Sequence, residues 1–407
     1  MKFTLTLKRD KILLLALFPV LISSLWLYNL YLLYFFAVLC WIIIPYKKWW
    51  DGISIPLLFF SVFYAGIVLY KGENPGWSFI FSMLFAPTAF YRLGCFLMKH
   101  IQDEMQRQKT LLLIVGAYLF PLFLLTAQDI ALTGLINDSR QMLMDLGNDD
   151  SMAATLYGLM ASAGIGFIGT IFIKQQNKWL KVAFILVAVL SLLSVIHLVN
   201  RTGLVICAAC LFVGFALSTR MNVSKMLPIL LVFIVVGVFF SESGILGRDV
   251  SEAYADREGD ADTDATSAGG RTEMWIEALG NILVSPLGWR LERYAHNMWL
   301  DIARAAGWLA FFPFVKATIA YLLKFKPLLK KGCKDSTLLI LVCINVAMLL
   351  NASVEPVIDG SFMFFSLLML VWGMTAQCLN LQIEVRNIEN MPTEEKNKLN
   401  GLVDAKY

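Results

Sequence analysis

The chain has 407 residues, of which 58% are hydrophobic and 16% charged, with a formal net charge of +4. Its mean hydropathy is +0.68; so little polar surface could not cover the core of a soluble domain of this size, which leaves a polytopic membrane protein. The basic excess does not mark a nucleic-acid partner, because the lysines and arginines fall in short clusters between apolar segments, where they report topology.

A membrane-crossing helix needs about 20 apolar residues. On that ruler about twelve segments are candidates, some of them short, at 11–27, 29–45, 53–70, 77–98, 110–126, 152–173, 182–199, 203–219, 226–241, 298–323, 337–353 and 360–378. The basic start (Lys2, Lys8, Arg9, Lys11) and the apolar run after it have the look of a signal peptide. The run continues to Ile44 without a small-residue cleavage site, so it reads as two retained helices with a turn near Tyr28 and Asn29. Most of the 34 Lys and Arg lie on one set of alternate connections, and the bias makes both termini cytoplasmic and turns the long connections 127–150 and 242–295 outward. Arg92 and Lys316, close to cytoplasmic helix ends, are expected to snorkel. The resulting division is 1–241 for transmembrane helices one to nine, 242–297 for a large outer loop with an amphipathic helix, 298–378 for helices ten to twelve, and 379–407 for a cytoplasmic tail.

No repeat of 20–50 residues and no inverted pair of broken helices stands out, which weakens a transporter reading. Asp260, Asp262 and Asp264 begin like a calcium loop, but Ala265 stands where Gly is needed and Arg271 where a bidentate Glu is needed, so the segment reads as an acidic linker. The seven cysteines indicate neither a disulfide framework nor a zinc site. No metal and no other cofactor is expected.

The stretch 271–308 carries the most chemistry. Met274, Trp275, Ala278, Leu279, Ile282 and Leu283 form one helical stripe with Arg271, Glu273 and Glu277 off it, until Pro286 and Gly288 stop the helix. Such a helix lies on a membrane surface. His296 follows at the outer start of the next apolar helix, with Asn297, Asp301 and Arg304 in the next two turns as supporting candidates. The positive end of a helix favours the neutral, proton-accepting ring there. Of the other two histidines, His100 reads as solvated and His197 as a core histidine with a satisfied hydrogen bond. Arg201 occupies the tight turn Asn200-Arg201-Thr202 at the outer face. Each arginine could be a headgroup anchor, but Arg201, Arg271 and His296 on one face would also suit a pyrophosphate leaving group, since guanidinium forks pair with phosphate oxygens.

Arg271, Trp275, Ala278, Pro286, Gly288, His296-Asn297 and Gly307, together with Arg201 in its hairpin, resemble the signature of the O-antigen ligase and polymerase superfamily of bacterial membrane proteins. The likeness covers about 110 residues, from Leu198 to Gly307. That family often has Gly-x-Gly after the proline, whereas here Gly288 is followed by Trp289 and Arg290. The resemblance implies an all-α, GT-C-like integral membrane fold and a metal-independent, inverting glycosyltransferase of the bacterial inner membrane, with its active site facing the periplasm. It would take a glycan from undecaprenyl pyrophosphate and pass it to an acceptor hydroxyl in lipopolysaccharide or surface polysaccharide biosynthesis. By the same resemblance His296 is the catalytic base, and Arg201 and Arg271 bind the pyrophosphate. The partners implied are the lipid-linked donor, a glycolipid or lipid-linked glycan acceptor, and membrane lipid. A ligase is the first expectation and a polymerase joining lipid-linked repeat units the second; a protein O-oligosaccharyltransferase or a polysaccharide flippase comes after both.

Overall fold

The computed structural model describes residues 9–23, 30–45, 50–72, 76–101, 103–137, 141–143, 151–173, 177–219, 271–289, 294–333 and 335–389. The expected helix at 226–241, the Asp260 to Asp264 segment, the turn at Tyr28 and Asn29, Arg290 and the tail beyond Glu389 lie outside these residues.

Every other segment expected to be apolar helix contains one. In chain order they are α1 (Arg9–Ile22), α2 (Leu30–Ile43), α3 (Ser54–Tyr70), α4 (Trp77–His100), α5 (Glu104–Thr133), α6 (Ala154–Ile165, continued as a 3-10 helix to Phe172), α7 (Lys178–His197) and α8 (Arg201–Ser218). After them come α9 (Arg271–Val284), α10 (Met298–Leu323), the short α11 (Lys326–Lys331), α12 (Ser336–Ala352), the single turn α13 (Val357–Gly360) and α14 (Phe362–Glu389). Helices α5, α7, α8, α10 and α12 begin on a capping side chain, Asp103, Asn177, Asn200, Asn297 and Asp335 respectively, which accepts orphan N–H groups of the first turn.

The protein is an all-α membrane protein, and among the described residues seven helices are long and apolar enough to cross a bilayer, α4 to α8, α10 and α14. The expectation of about twelve is not reached among the described residues. Helices α1 and α2 have 14 residues, and α3 and α12 have 17. At 1.5 Å per residue, 14 residues reach about 21 Å against a hydrocarbon core of about 30 Å. The last helix also exceeds its expected end at 378, because residues to Glu389 continue it.

One small sheet interrupts the helical pattern, and the sequence did not announce it. The strands β1 (Gln141–Leu143) and β2 (Ser151–Ala153) pair antiparallel, Met142 opposite Met152, and Met142 is fully buried.

Lipid offers apolar groups no incentive to leave it, so the core is held by close backbone approach and buried polar contacts. A Cβ on Gly373 of α14 would strike the backbone of Tyr91 on α4, and one on Gly94 would strike Leu370; glycine at both places lets the two helices touch. Beside them Trp372 stacks on Tyr321, with ring centroids 4.4 Å apart. The Tyr321 hydroxyl donates to Asn345 Oδ1 at 2.6 Å, and Asn345 Nδ2 donates to Thr375 Oγ1 at 2.7 Å, joining α10, α12 and α14. Arg92 does not snorkel. It is buried and pairs with Asp51 Oδ2 at 2.9 Å, while Asp51 Oδ1 caps the start of α3. Cys207 and Cys210 stand at C-x-x-C spacing on α8, a detail that counting cysteines passes over; both are free thiols.

Candidate functional site

The site is built where α9, the segment after it and the turn between α12 and α13 meet at one end of the bundle. Helix α9 is amphipathic, but its packed side is not the whole of the expected stripe. Ala278 is buried and Met274, Trp275 and Ile282 are half-buried, as expected, whereas Leu279, Leu283, Val284 and Ile276 are exposed. Arg271, expected off the packed stripe, turns inward with 22% of its side chain exposed. The outward side thus carries Glu273 and Glu277 beside these apolar side chains, while the Arg271 guanidinium meets protein.

A joint of backbone hydrogen bonds locks α9 to α10. Gly307 breaks α10 with φ 61° and ψ −157°, a conformation open to glycine at little cost. The Pro286 turn inserts at the break: Trp308 N donates to Pro286 O and Trp289 N donates to Arg304 O, both at 2.9 Å. Gly288 has φ 84°, and a Cβ on it would fall on the Arg304 carbonyl. Trp289 after Gly288 thus joins the turn through its backbone. Lys71, at the end of α3, donates to Ala305 O at 3.1 Å and Trp289 O at 3.3 Å. The indoles of Trp275 and Trp308 donate to Ala295 O and Ile282 O respectively.

Just ahead of α10, His296 holds an unusual backbone state. His296 has φ 49°, a left-handed conformation that costs on the order of 1–3 kcal/mol in a residue other than glycine. Asn297 holds it from the next position. Its Oδ1 accepts from Trp299 N and Leu300 N, and its Nδ2 donates to Ser353 O at 2.9 Å. Asp301 reaches back to accept from Ala295 N at 2.7 Å and Asn297 N at 3.2 Å. Arg304, only 1% exposed, pairs with Asp301 Oδ1 at 3.1 Å and lies 5.1 Å from the Tyr294 ring centroid. Asn297, Asp301 and Arg304 are therefore scaffolding that fixes the backbone on both sides of His296.

Glu355 is the residue that sequence reading missed. Its side chain is 4% exposed and lies under two basic groups. Arg271 Nη2 donates to Glu355 Oε1 at 2.9 Å, and His296 Nδ1 faces Glu355 Oε2 at 3.6 Å. The last two atoms are buried and neither has a hydrogen-bond partner. A shift of about 0.7 Å would bring them to hydrogen-bond distance. The signal available in the sequence was a pair of acidic residues, Glu355 and Asp359, in the short connection between two apolar helices, where an ionisable group in a membrane protein marks a paired or functional site.

Arg201 begins α8 at the same end but on another element. From Glu355 the connection runs through Asn351, whose Nδ2 donates to Gly158 O at 2.8 Å, to Asn200, whose amide lies against Gly158. His197 is wholly buried, with Nδ1 2.9 Å from Leu135 O and Nε2 2.7 Å from Asp129 Oδ2, and so has hydrogen-bond partners in the core. His100 is exposed at the far end of α4.

Chemically the arrangement is a carboxylate, an imidazole and a guanidinium in contact at the mouth of a helical bundle. It can hold an imidazole by one nitrogen, support positive charge on it, and offer N–H donors to an anion. No family model, no curated protein and no solved structure matches this chain.

Proposed function

We propose that this chain is a glycosyltransferase of the O-antigen ligase type, moving a glycan from undecaprenyl pyrophosphate to an acceptor hydroxyl at the periplasmic face of a bacterial inner membrane. The observation that carries the reading is the convergence of Arg271 and His296 on buried Glu355. A carboxylate behind a histidine holds the ring in one orientation and stabilises the imidazolium as it forms, the same division of labour as in a Ser-His-Asp triad. With Nδ1 turned toward Glu355 at 3.6 Å, Nε2 is the nitrogen that accepts the proton of the acceptor hydroxyl.

The acceptor oxygen attacks the anomeric carbon as it loses that proton. The bond from this carbon to the pyrophosphate oxygen breaks, the electron pair leaves with the pyrophosphate, and a single displacement inverts the anomeric configuration. Arg201 and the remaining donors of Arg271 stabilise the charge that accumulates on the leaving group. The polyprenyl chain stays in lipid, beside the exposed Leu279, Leu283 and Val284 of α9.

The test is transfer by the purified protein from a lipid-linked glycan to a lipid core acceptor. Product with the inverted linkage is expected, and none from His296→Ala. In cells a ligase null accumulates lipid-linked polymer and bare core, whereas a polymerase null leaves core bearing one repeat unit. A normal surface-glycan ladder in the deletion strain would remove both readings.

A further inference from the structure

We infer that Asp129, His197 and Asn137 form a positioning device for Arg201; the ligand assigned to Arg201 rests on the function proposed above. The turn that presents Arg201 is strained. Asn200 N donates to Val195 O and Val199 N to Ile196 O, each at 3.0 Å, a helix-ending pattern whose left-handed position normally holds glycine. Here it holds Val199 with φ 50°, and a β-branched residue in that region is an outlier that its surroundings must enforce.

The contacts that hold the turn gather on His197, just ahead of it. Leu135 O can only accept, so His197 Nδ1 carries a proton toward it at 2.9 Å. His197 Nε2 and Asp129 Oδ2, 2.7 Å apart, must then share a second proton, because neither could otherwise donate. Asn137 Nδ2 donates to the same Oδ2 at 2.6 Å and to Gln141 O at 2.8 Å, and Asn137 N donates to His197 O at 2.8 Å. All three side chains are at least nine-tenths buried. A core histidine needs only partners; this one ties the end of α5, the segment leading into β1 and the end of α7 to a single carboxylate. Its own carbonyl is fixed, two residues before the strained valine and four before Arg201. Asn200 then caps α8 through Gly203 N, so the guanidinium leaves a backbone held on both sides.

The experiment is a binding cycle with undecaprenyl pyrophosphate and the full-length protein in detergent. His197→Ala is expected to weaken binding about 10-fold or more, within the range that a displacement near 1 Å produces, and to have no further effect in an Arg201→Ala background. Val199→Gly should restore binding to His197→Ala, because glycine holds the turn without support. Asp129→Asn, which keeps the shape of the cluster, should weaken binding in the same Arg201-dependent way, and it decides the matter if His197→Ala is not recovered folded. Equal losses with and without Arg201, or no loss at all, overturn the positioning role. An Arg201→Ala variant that binds normally overturns the pyrophosphate role itself, a distinct result read from one protein.

Discussion

Burying a carboxylate is tolerable only when its charge is met, and Glu355 meets a guanidinium on one oxygen and an imidazole on the other. That arrangement makes the three residues one unit, so their substitutions should not add. Glu355→Gln and His296→Ala are each expected to lower kcat by about 10²- to 10⁴-fold, the range of general base catalysis, and the double variant should be no slower than the worse single. Single-turnover rates measure this; a double variant slower by the product of the two effects would separate Glu355 from the base. Arg271→Lys retains the charge but not the fork, and should lower the rate of transfer by about 10²-fold, as the loss of one fixed donor does. Lysine activity equal to arginine in the same assay would reduce Arg271 to a charge partner of Glu355.

At the scale of elements, the decisive feature is a broken helix used as a socket. Ending α10 at Gly307 and resuming it one residue on exposes carbonyls that an unbroken helix would satisfy internally. The structure fills them with Trp289 N–H and Lys71 Nζ. Gly307→Ala places a methyl group against the Pro286 carbonyl at a left-handed position, so the turn can no longer seat. A stability loss of about 1–3 kcal/mol is expected from the strain, together with a fall in transfer although His296 itself is untouched. Thermal unfolding in detergent and the transfer assay check the two parts. Unchanged activity in Gly307→Ala would mean that the joint does not position His296.

For the whole molecule, exposed apolar side chains such as Leu15, Phe35, Phe59, Val182 and Leu323 lie on helices around the bundle, and α9 adds four more. The site therefore lies at one end of an apolar body, beside a helix that presents hydrocarbon-compatible side chains to the surroundings. The basic bias of the connections gives an expected orientation to test: a cysteine at Asp262, in a background free of the seven native cysteines, should label in intact cells, and one at Lys178 only after the inner membrane is opened. Label at Asp262 only after opening would invert the topology and move the site away from the periplasm. Charge on the leaving pyrophosphate is assigned to arginine, so transfer should persist in EDTA and in the Asp260, Asp262 and Asp264 to Ser triple variant. Loss of activity in EDTA that zinc, magnesium or calcium restores would refute that assignment.

Much of this was legible from residues alone. Hydrophobic runs place the helices, Asn and Asp mark where α5, α7, α8, α10 and α12 start, and Pro286, Gly288 and Gly307 punctuate the stretch around His296, because caps and breaks are written in local chemistry. Length alone did not fix the number of crossings, since the described parts of α1 and α2 have 14 residues each, fewer than a span needs. The tertiary structure alone decided which face of α9 packs, why Val199 and His296 are held in left-handed turns, and that Glu355 lies 84 positions from the arginine it pairs with. In water an apolar stripe points to the core; in lipid the same stripe is equally stable facing outward, so the pattern that located α9 could not orient it. An acidic residue between two apolar helices likewise calls for a partner without saying which, because the pairing is made by helix packing across long separations in the chain.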